Sequence, residues 1–176
     1  MEQTLNLDDL SNTEQVLERT PSGAEVQRLA VRLGLIDGTA TKVARRPFRH
    51  NLSQLAPAAL SDEQGWWSSE FGRIMELHGL LVGQQKLLSL EAKKARASVR
   101  SRLRKRAAED EARITQGELN DLAEDDPSVR EVDERGAMVE LLLAATSTSK
   151  EVIERYLNTL SREIAFRQAQ MDARIY

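Results

Sequence analysis

The residues whose types and spacing most clearly suggest a binding function are the lysines and arginines between positions 86 and 106. This stretch holds nine Lys or Arg residues and a single acid, Glu91. Guanidinium and ammonium groups bind phosphate, so a row of them is a typical surface for a polyanion. The candidate nucleic-acid-binding residues are Lys86, Lys93, Lys94, Arg96, Arg100, Arg102, Arg104 and Lys105.

Five of these side chains share one flank if the stretch is helical. At 100° per residue they fall within about 80° of one another and form a basic stripe about 27 Å long. The five are Lys86, Lys93, Arg96, Arg100 and Arg104. Two interpretations remain open. The stripe is either a solvated helix face, as most charge runs are, or a surface whose mutual repulsion is relieved by a polyanion or a neighbouring acidic surface.

Other chemistries find little support in the residue types. The chain has no cysteine and only two histidines, so thiolate metal sites and cysteine nucleophiles are excluded and a histidine ligand set is not indicated. There is no glycine-rich phosphate loop and no Ser/His/Asp pattern. We therefore expect a protein that is not an enzyme and that uses no cofactor or metal.

An apolar seam predicts the helix that carries the basic residues. Hydrophobic residues make up 40% of the chain but aromatics only 4%, which favours helices packed through aliphatic side chains and predicts an all-α fold. Ser61 and Gln64 form a capping-box pattern, which predicts that the helix begins at Ser61. The seam alternates steps of four and three residues through Ile74, His78, Leu81, Gln85, Leu88, Ala92, Ala95 and Val99.

A second helix is predicted from Pro127 to the C-terminus, with Asp126 as its N-cap. Residues 107–126 are expected to form an acidic connection, and positions 109–126 contain eight acids and one base. Two helices of about 40 residues each then form a long antiparallel hairpin. Because a lone hairpin leaves apolar surface in water, we expect a homo-oligomeric ring or bundle.

The first 60 residues are predicted to be an N-terminal extension with short helices, ahead of an oligomerisation and DNA-binding domain at 61–176. Capping-box patterns at Ser11 and Ser22 indicate two short helices. The basic segment 42–50 contains Phe48, and two interpretations stay open for it. It either contacts phosphates while Phe48 stacks on a base, or it is a linker whose Phe48 packs on its own protein.

Composition also bears on where the protein works. The absence of cysteine fits a reducing compartment. The N-terminus lacks a basic segment followed by an apolar run, and no stretch approaches 18 apolar residues. These features predict a soluble cytoplasmic protein with no membrane partner.

The chain resembles the UvsY-type recombination mediator family of tailed bacteriophages. The resemblance covers roughly residues 66–175 and rests on three runs: LLSLEAKKARASVRSRL (87–103), SVREVD (128–133) and SREIAFRQAQMD (161–172). The chain departs from that family in its N-terminal extension, in its acidic loop, and in lacking the aromatic, glycine-containing segment after the basic run.

The resemblance implies a helical homo-oligomer in the cytoplasm of an infected host cell. Such a protein binds single-stranded DNA and helps a RecA-like recombinase replace single-strand-binding protein. The family's DNA-contacting residues would correspond to Lys93, Lys94, Arg96, Arg100 and Arg102. The alternative hypothesis is a coiled-coil scaffolding or virion structural protein whose basic stripe pairs with acidic loops of neighbouring subunits.

Overall fold

A computed structural model describes residues 22–36 and 46–175. Every regular element in those two ranges is helical, which confirms the all-α prediction for the described part of the chain. The predicted helix at Ser11 and residues 42–45 of the basic segment lie outside those ranges. The elements are α1 (Gly23–Arg32), a 3-10 turn (Leu52–Gln54), α2 (Pro57–Glu109), α3 (Gln116–Glu124) and α4 (Pro127–Ile175).

The two long helices, α2 and α4, pack together as an antiparallel hairpin. Partners run in opposite directions along the chain, because Gln64 bonds to Ser161, His78 to Thr146 and Arg96 to Asp133. The helices have 53 and 49 residues, so they match in length as predicted but are longer than expected. Seam positions buried between them include Ile74, Leu81, Leu88, Ala92, Val99, Val139, Ile153 and Leu160.

The predicted start of α2 at Ser61 is wrong by four residues. The helix begins at Pro57, and Ala56 occupies the N-cap without a side-chain hydrogen bond. Proline has no N–H to leave unsatisfied and its φ angle already suits a helix, so it starts the helix without a polar cap. The predicted start of α4 is confirmed: Asp126 Oδ1 accepts a hydrogen bond from the Ser128 N–H at 3.0 Å, and the helix begins at Pro127.

The connection between the long helices contains a short helix that the sequence analysis did not predict. Thr115 and Glu118 form a complete capping box, and α3 follows for nine residues. Leu119 and Ala123 are both buried, and Ala123 joins a small apolar cluster with Val99 and Val129. This packing fixes α3 against the end of the hairpin that carries the basic residues.

A polar pair interrupts the apolar seam near its centre. His78 Nδ1 lies 3.0 Å from Thr146 Oγ1, and the Thr146 hydroxyl donates to the Leu143 carbonyl at 2.9 Å. The direction of the hydrogen bond between these two side chains depends on which ring nitrogen of His78 carries the proton. Helix α4 runs unbroken through positions 146–149, where the hydroxyls of Thr148 and Ser149 also bond to carbonyls one turn back.

Helix α1 packs across the hairpin and has the capping box predicted at Ser22 and Glu25. Glu70, buried on α2, accepts a hydrogen bond from the Gly23 N–H at 3.1 Å, which places a carboxylate at the positive end of the α1 dipole. Val26 and Ala30 then pack in one apolar cluster with Leu81 and its neighbours. The chain leaves α1 through Gly34, whose φ of 64° suits glycine.

An aromatic cluster lies at the end of the hairpin that is far from α3, near the start of α2. Phe48 stacks on Trp67 with ring centroids 4.1 Å apart, and Tyr156 and Trp66 meet Trp67 edge-on. Of the two interpretations of the basic segment, packing of Phe48 on its own protein is therefore confirmed. Arg46 and Arg49 both form ion pairs with the fully buried Glu63, at 2.9 and 3.4 Å.

A search of the helices within residues 22–36 and 46–175 found none that is long and apolar enough to cross a membrane.

Candidate nucleic-acid interface

The basic residues lie on the last third of α2, beside α3. Arg96, Arg100 and Arg104 each contact a side chain of α3, so these three face the same flank of the hairpin. Lys86 and Lys93 precede Arg100 by steps of seven residues, which is two helical turns and returns to nearly the same direction. At 100° per residue Lys94 and Lys105 lie about 120° to 140° around the helix from Arg100, and Arg102 lies on the other flank, where it contacts Asp126.

Arg96 is neutralised within the chain. Its guanidinium bonds to Glu124 through Nε and Nη2, at 2.7 and 2.9 Å, and Nη2 also lies 2.7 Å from Asp133 Oδ2. The hydrogen bond from Arg96 lowers the pKa of Glu124, and the same bond raises the pKa of Arg96. The side chain is 27% exposed and is surrounded by two carboxylates, so it adds little free charge to the surface.

Arg102 also has a carboxylate partner. It bonds to Asp126, the N-cap residue of α4. Hydrogen bonds from Ser128 are the main reason that the pKa of Asp126 is lowered, with a smaller contribution from Arg102. Because the Arg102 side chain is 67% exposed, water screens this ion pair, but it still reduces the positive potential on that flank.

Arg100 and Arg104 are held by neutral groups instead. Arg100 Nη1 donates to Asn120 Oδ1 at 3.2 Å, and Arg104 Nη2 donates to Gln116 Oε1 at 3.0 Å. Amide oxygens orient a guanidinium without cancelling its charge. These two arginines therefore keep their full positive charge while their positions are fixed by α3.

The lysines of the set are exposed and make no ion pair within the described ranges. They are Lys86, Lys93, Lys94 and Lys105. Four cations therefore follow one another along the α3 flank without a carboxylate partner: Lys86, Lys93, Arg100 and Arg104. We call these four residues the basic row. It extends for about 27 Å, from 18 residues at ~1.5 Å each.

A groove runs beside the first residue of the basic row. It has a volume of about 680 Å³ and lies between α2 and α4, where Gly136 leaves space opposite Lys86. Asp133 and Glu140 line its far side. Asp133 is engaged by Arg96, while Glu140 lies 3.5 Å from the amide of Gln85. Glu140 therefore lies near the Lys86 end of the row, and Arg104 lies at the opposite end.

The sequence analysis missed one cation at that end. Arg113 lies in the loop before α3 and, together with Arg104, lines an open cavity of about 570 Å³. Its position as the single base within the acidic segment 109–126 was a usable signal. Gln116 and Asn120 were also missed, since an amide gives no signal until its arginine partner is known.

The arrangement presents positively charged groups that can bind phosphates. The large aromatic side chains Phe48, Trp66, Trp67 and Tyr156 pack together at the other end of the hairpin. Within residues 22–36 and 46–175, no three His, Asp or Glu side chains come together in a way that could hold a metal ion. Scans against protein-family models, curated proteins and solved structures found no match to the chain.

Proposed function

We propose that the protein binds single-stranded DNA without catalysing a reaction, and that it acts as a recombination mediator. In that role it helps to load a RecA-like recombinase onto DNA covered by single-strand-binding protein. The basic row carries the proposal, because Lys86, Lys93, Arg100 and Arg104 share one flank and lack carboxylate partners among the described residues. The resemblance to the UvsY-type family supports the preference for single strands and the mediator role.

Phosphate contacts make the affinity depend on salt rather than on sequence. Each phosphate neutralised on a single strand contributes about −0.7 to the slope of log affinity against log salt. The four cations of one basic row then give a slope of about −2.8 per subunit. In an assembly of several copies the rows add, so we expect a steeper slope and little difference between oligonucleotide sequences.

The experiment compares binding of a fluorescent oligonucleotide by wild type and by Lys93→Glu with Arg100→Glu, over a range of salt concentrations. We expect the double variant to bind far more weakly, with a slope lower in magnitude by about 1.4. Arg155→Glu with Arg162→Glu is the control, because it makes the same charge change on exposed residues of α4 near the other end of the hairpin. Equal losses in both variants would contradict the proposal.

The mediator role needs its own measurement. A RecA-like recombinase is mixed with single-stranded DNA already covered by its single-strand-binding protein, and its DNA-dependent ATP hydrolysis is followed. We expect the wild type to shorten the lag and the basic-row variant to leave it unchanged. DNA binding without any effect on the lag would reduce the proposal to DNA binding alone.

The second candidate function is a coiled-coil scaffold in which acids of one subunit pair with bases of the next. One observation favours it: Glu124 and Asp126 already form ion pairs with Arg96 and Arg102 within the chain. In a scaffold the Lys93→Glu, Arg100→Glu variant would dissociate the assembly. Under the DNA-binding proposal it loses the oligonucleotide while its mass by light scattering stays the same.

A further inference from the structure

Two amide side chains of α3 link two arginines on successive turns of α2. Arg104 Nη2 donates to Gln116 Oε1, and Gln116 Nε2 donates to Asn120 Oδ1 at 3.1 Å. The same Oδ1 accepts from Arg100 Nη1, which completes a chain of four side chains. Gln116 and Asn120 are four residues apart, as are Arg100 and Arg104, so each pair lies on one face of its helix.

The arginines beside α3 have partners of two chemical types. Arg96 and Arg102 form ion pairs with carboxylates, whereas Arg100 and Arg104 donate hydrogen bonds to side-chain amide oxygens, and Arg100 attracts Glu124 without forming an ion pair with it. A carboxylate would cancel the charge of its arginine, while an amide holds the guanidinium in place and leaves the charge available. The segment that supplies these amides is otherwise strongly acidic, so neutral groups at these two positions separate the arginines into paired and available sets.

The two arginines keep most of their donors for another ligand. Arg100 uses Nε on the Arg96 carbonyl and one hydrogen of Nη1 on Asn120, and Arg104 uses one hydrogen of Nη2 on Gln116. A guanidinium has five N–H groups, so each arginine retains at least three. The open cavity of about 570 Å³ beside Arg104, also lined by Arg113, leaves room for an anion there.

We propose that Gln116 and Asn120 are positioning residues that hold Arg100 and Arg104 as a two-arginine clamp for one stretch of the phosphate backbone. This inference rests on the proposed binding of single-stranded DNA and specifies where on the basic row the strand is held most firmly. Fixing an arginine before binding removes the entropy cost of ordering it in the complex. Removing one amide should therefore weaken binding by about three- to tenfold.

The test compares three double variants by the affinity and the salt slope of a fluorescent oligonucleotide. In Gln116→Ala with Asn120→Ala, the arginines remain but lose their supports, so affinity falls while the slope is retained. In Gln116→Glu with Asn120→Asp, the acceptors remain but are charged. We expect that variant to lose affinity and to lower the magnitude of the slope by about 1.4, as Arg100→Gln with Arg104→Gln does.

Stability measurements separate positioning from a purely structural role. The carboxylate variant gains two ion pairs but loses the hydrogen bond between positions 116 and 120 and places two carboxylates side by side, so its urea midpoint should stay close to that of the wild type while its DNA binding falls. If Gln116 and Asn120 had only a structural role, the alanine variant would lose stability but would bind DNA like the wild type under conditions where it stays folded. Asn158→Ala with Gln168→Ala serves as the control, because it removes two exposed amides from α4. Circular dichroism checks that the alanine variant keeps its helices.

The outcomes distinguish this inference from the proposed function. If the wild type binds no oligonucleotide, both fall. If Arg100→Gln with Arg104→Gln weakens binding but the alanine variant binds like the wild type, the DNA-binding function stands and the positioning role of Gln116 and Asn120 is overturned. A carboxylate variant that binds with an unchanged slope would equally overturn it.

Discussion

Glu63 is a charged residue that the fold buries completely, and its partners explain how. Its Oε1 accepts a hydrogen bond from Trp67 Nε1 at 2.9 Å, and its Oε2 lies 2.9 Å from Arg46 Nη2. Glu63→Gln keeps the shape but turns an amide donor or a neutral oxygen towards Arg46 and Arg49. A buried group left without a matching partner costs about 1–3 kcal/mol, so we expect a loss of that size in the free energy of unfolding by urea.

The matched control for Glu63 is its neighbour. Asp62→Asn removes a carboxylate that binds the same arginine, Arg46, at 2.7 Å, but the Asp62 side chain is 69% exposed. An exposed ion pair contributes about 0–1 kcal/mol, so this substitution should cost much less. Equal losses from the two substitutions would show that burial of Glu63 does not determine the stability of this cluster.

Tyr156 gives the same cluster a signature at high pH. Burial, with Glu63 close by, raises the pKa of Tyr156 to about 12 from its usual 10. Between those pH values the unfolded chain has lost the phenol proton and the folded chain has kept it. Stability from this group is therefore present below pH 10 and is lost as the pH rises through 12.

A titration can isolate this tyrosine. The chain has two tyrosines, so Tyr176→Phe leaves Tyr156 as the single phenol. Ultraviolet absorbance of the phenolate should then titrate near pH 12 in the folded protein and near pH 10 in concentrated urea. A folded-state midpoint near 10 would contradict the buried position of the hydroxyl.

At the scale of elements, the docking of α1 depends on a glycine. A Cβ at Gly23 would lie 2.7 Å from Ile74 Cγ1 and 3.1 Å from Glu70 Oε1, so α1 would have to move away from α2. We expect Gly23→Ala to lower the free energy of unfolding by about 1–3 kcal/mol, the usual cost of overpacking. Urea denaturation followed by helical circular dichroism measures it.

The control is a glycine-to-alanine substitution on α2 at a position with open space around it. Gly72 lies on the exposed side of α2 with nothing within 4 Å of the position of a Cβ. Gly72→Ala should therefore stabilise the protein by about 0.5–1 kcal/mol, because alanine restricts the unfolded chain and favours the helix. Destabilisation by both substitutions would argue that the close contact at Gly23 is not the cause.

The element boundaries show what local sequence patterns can and cannot predict. The seam from Ile74 to Val99 and the start of α4 at Pro127 were predictable, since apolar spacing and an Asp-Pro pair act locally. The capping-box pattern at Ser61 was misleading because it lies inside a helix that Pro57 had already begun. The same kind of pattern at Thr115 was genuine, but the acidic surroundings made the segment resemble a loop.

The electrostatic environment of the basic residues could not be predicted in the same way. Arg96 pairs with acids 28 and 37 residues away, and Arg102 with one 24 residues away. Glu124 meets Arg96 because α3 folds back along α2, which the sequence analysis did not foresee, whereas Asp126 and Asp133 are brought to their arginines by the packing of α4 on α2. The stripe itself was predictable from helical spacing, whereas its division into paired and available charges depended on the tertiary fold.

At the scale of the whole molecule, the outer side of α2 carries a second apolar line that the hairpin does not cover. Leu80, Leu87 and Leu90 are 52%, 62% and 54% exposed, and Gly83 completes their alternation of three- and four-residue steps. This spacing is the seam of a coiled coil. Because each leucine is already about half buried, covering it contributes about 1 kcal/mol, and pairing between copies of the chain would cover all three together.

We therefore expect the purified protein to be a homo-oligomer, and Leu87→Glu with Leu90→Glu to lower its mass by light scattering. The control is Leu122→Glu with Met171→Glu, which places the same charges at exposed apolar residues on α3 and near the end of α4. The dissociated variant would keep its own basic row, so its salt slope for DNA should fall to the single-subunit value of about −2.8. A wild-type monomer, or an unchanged mass in the leucine variant, would contradict assembly through this line.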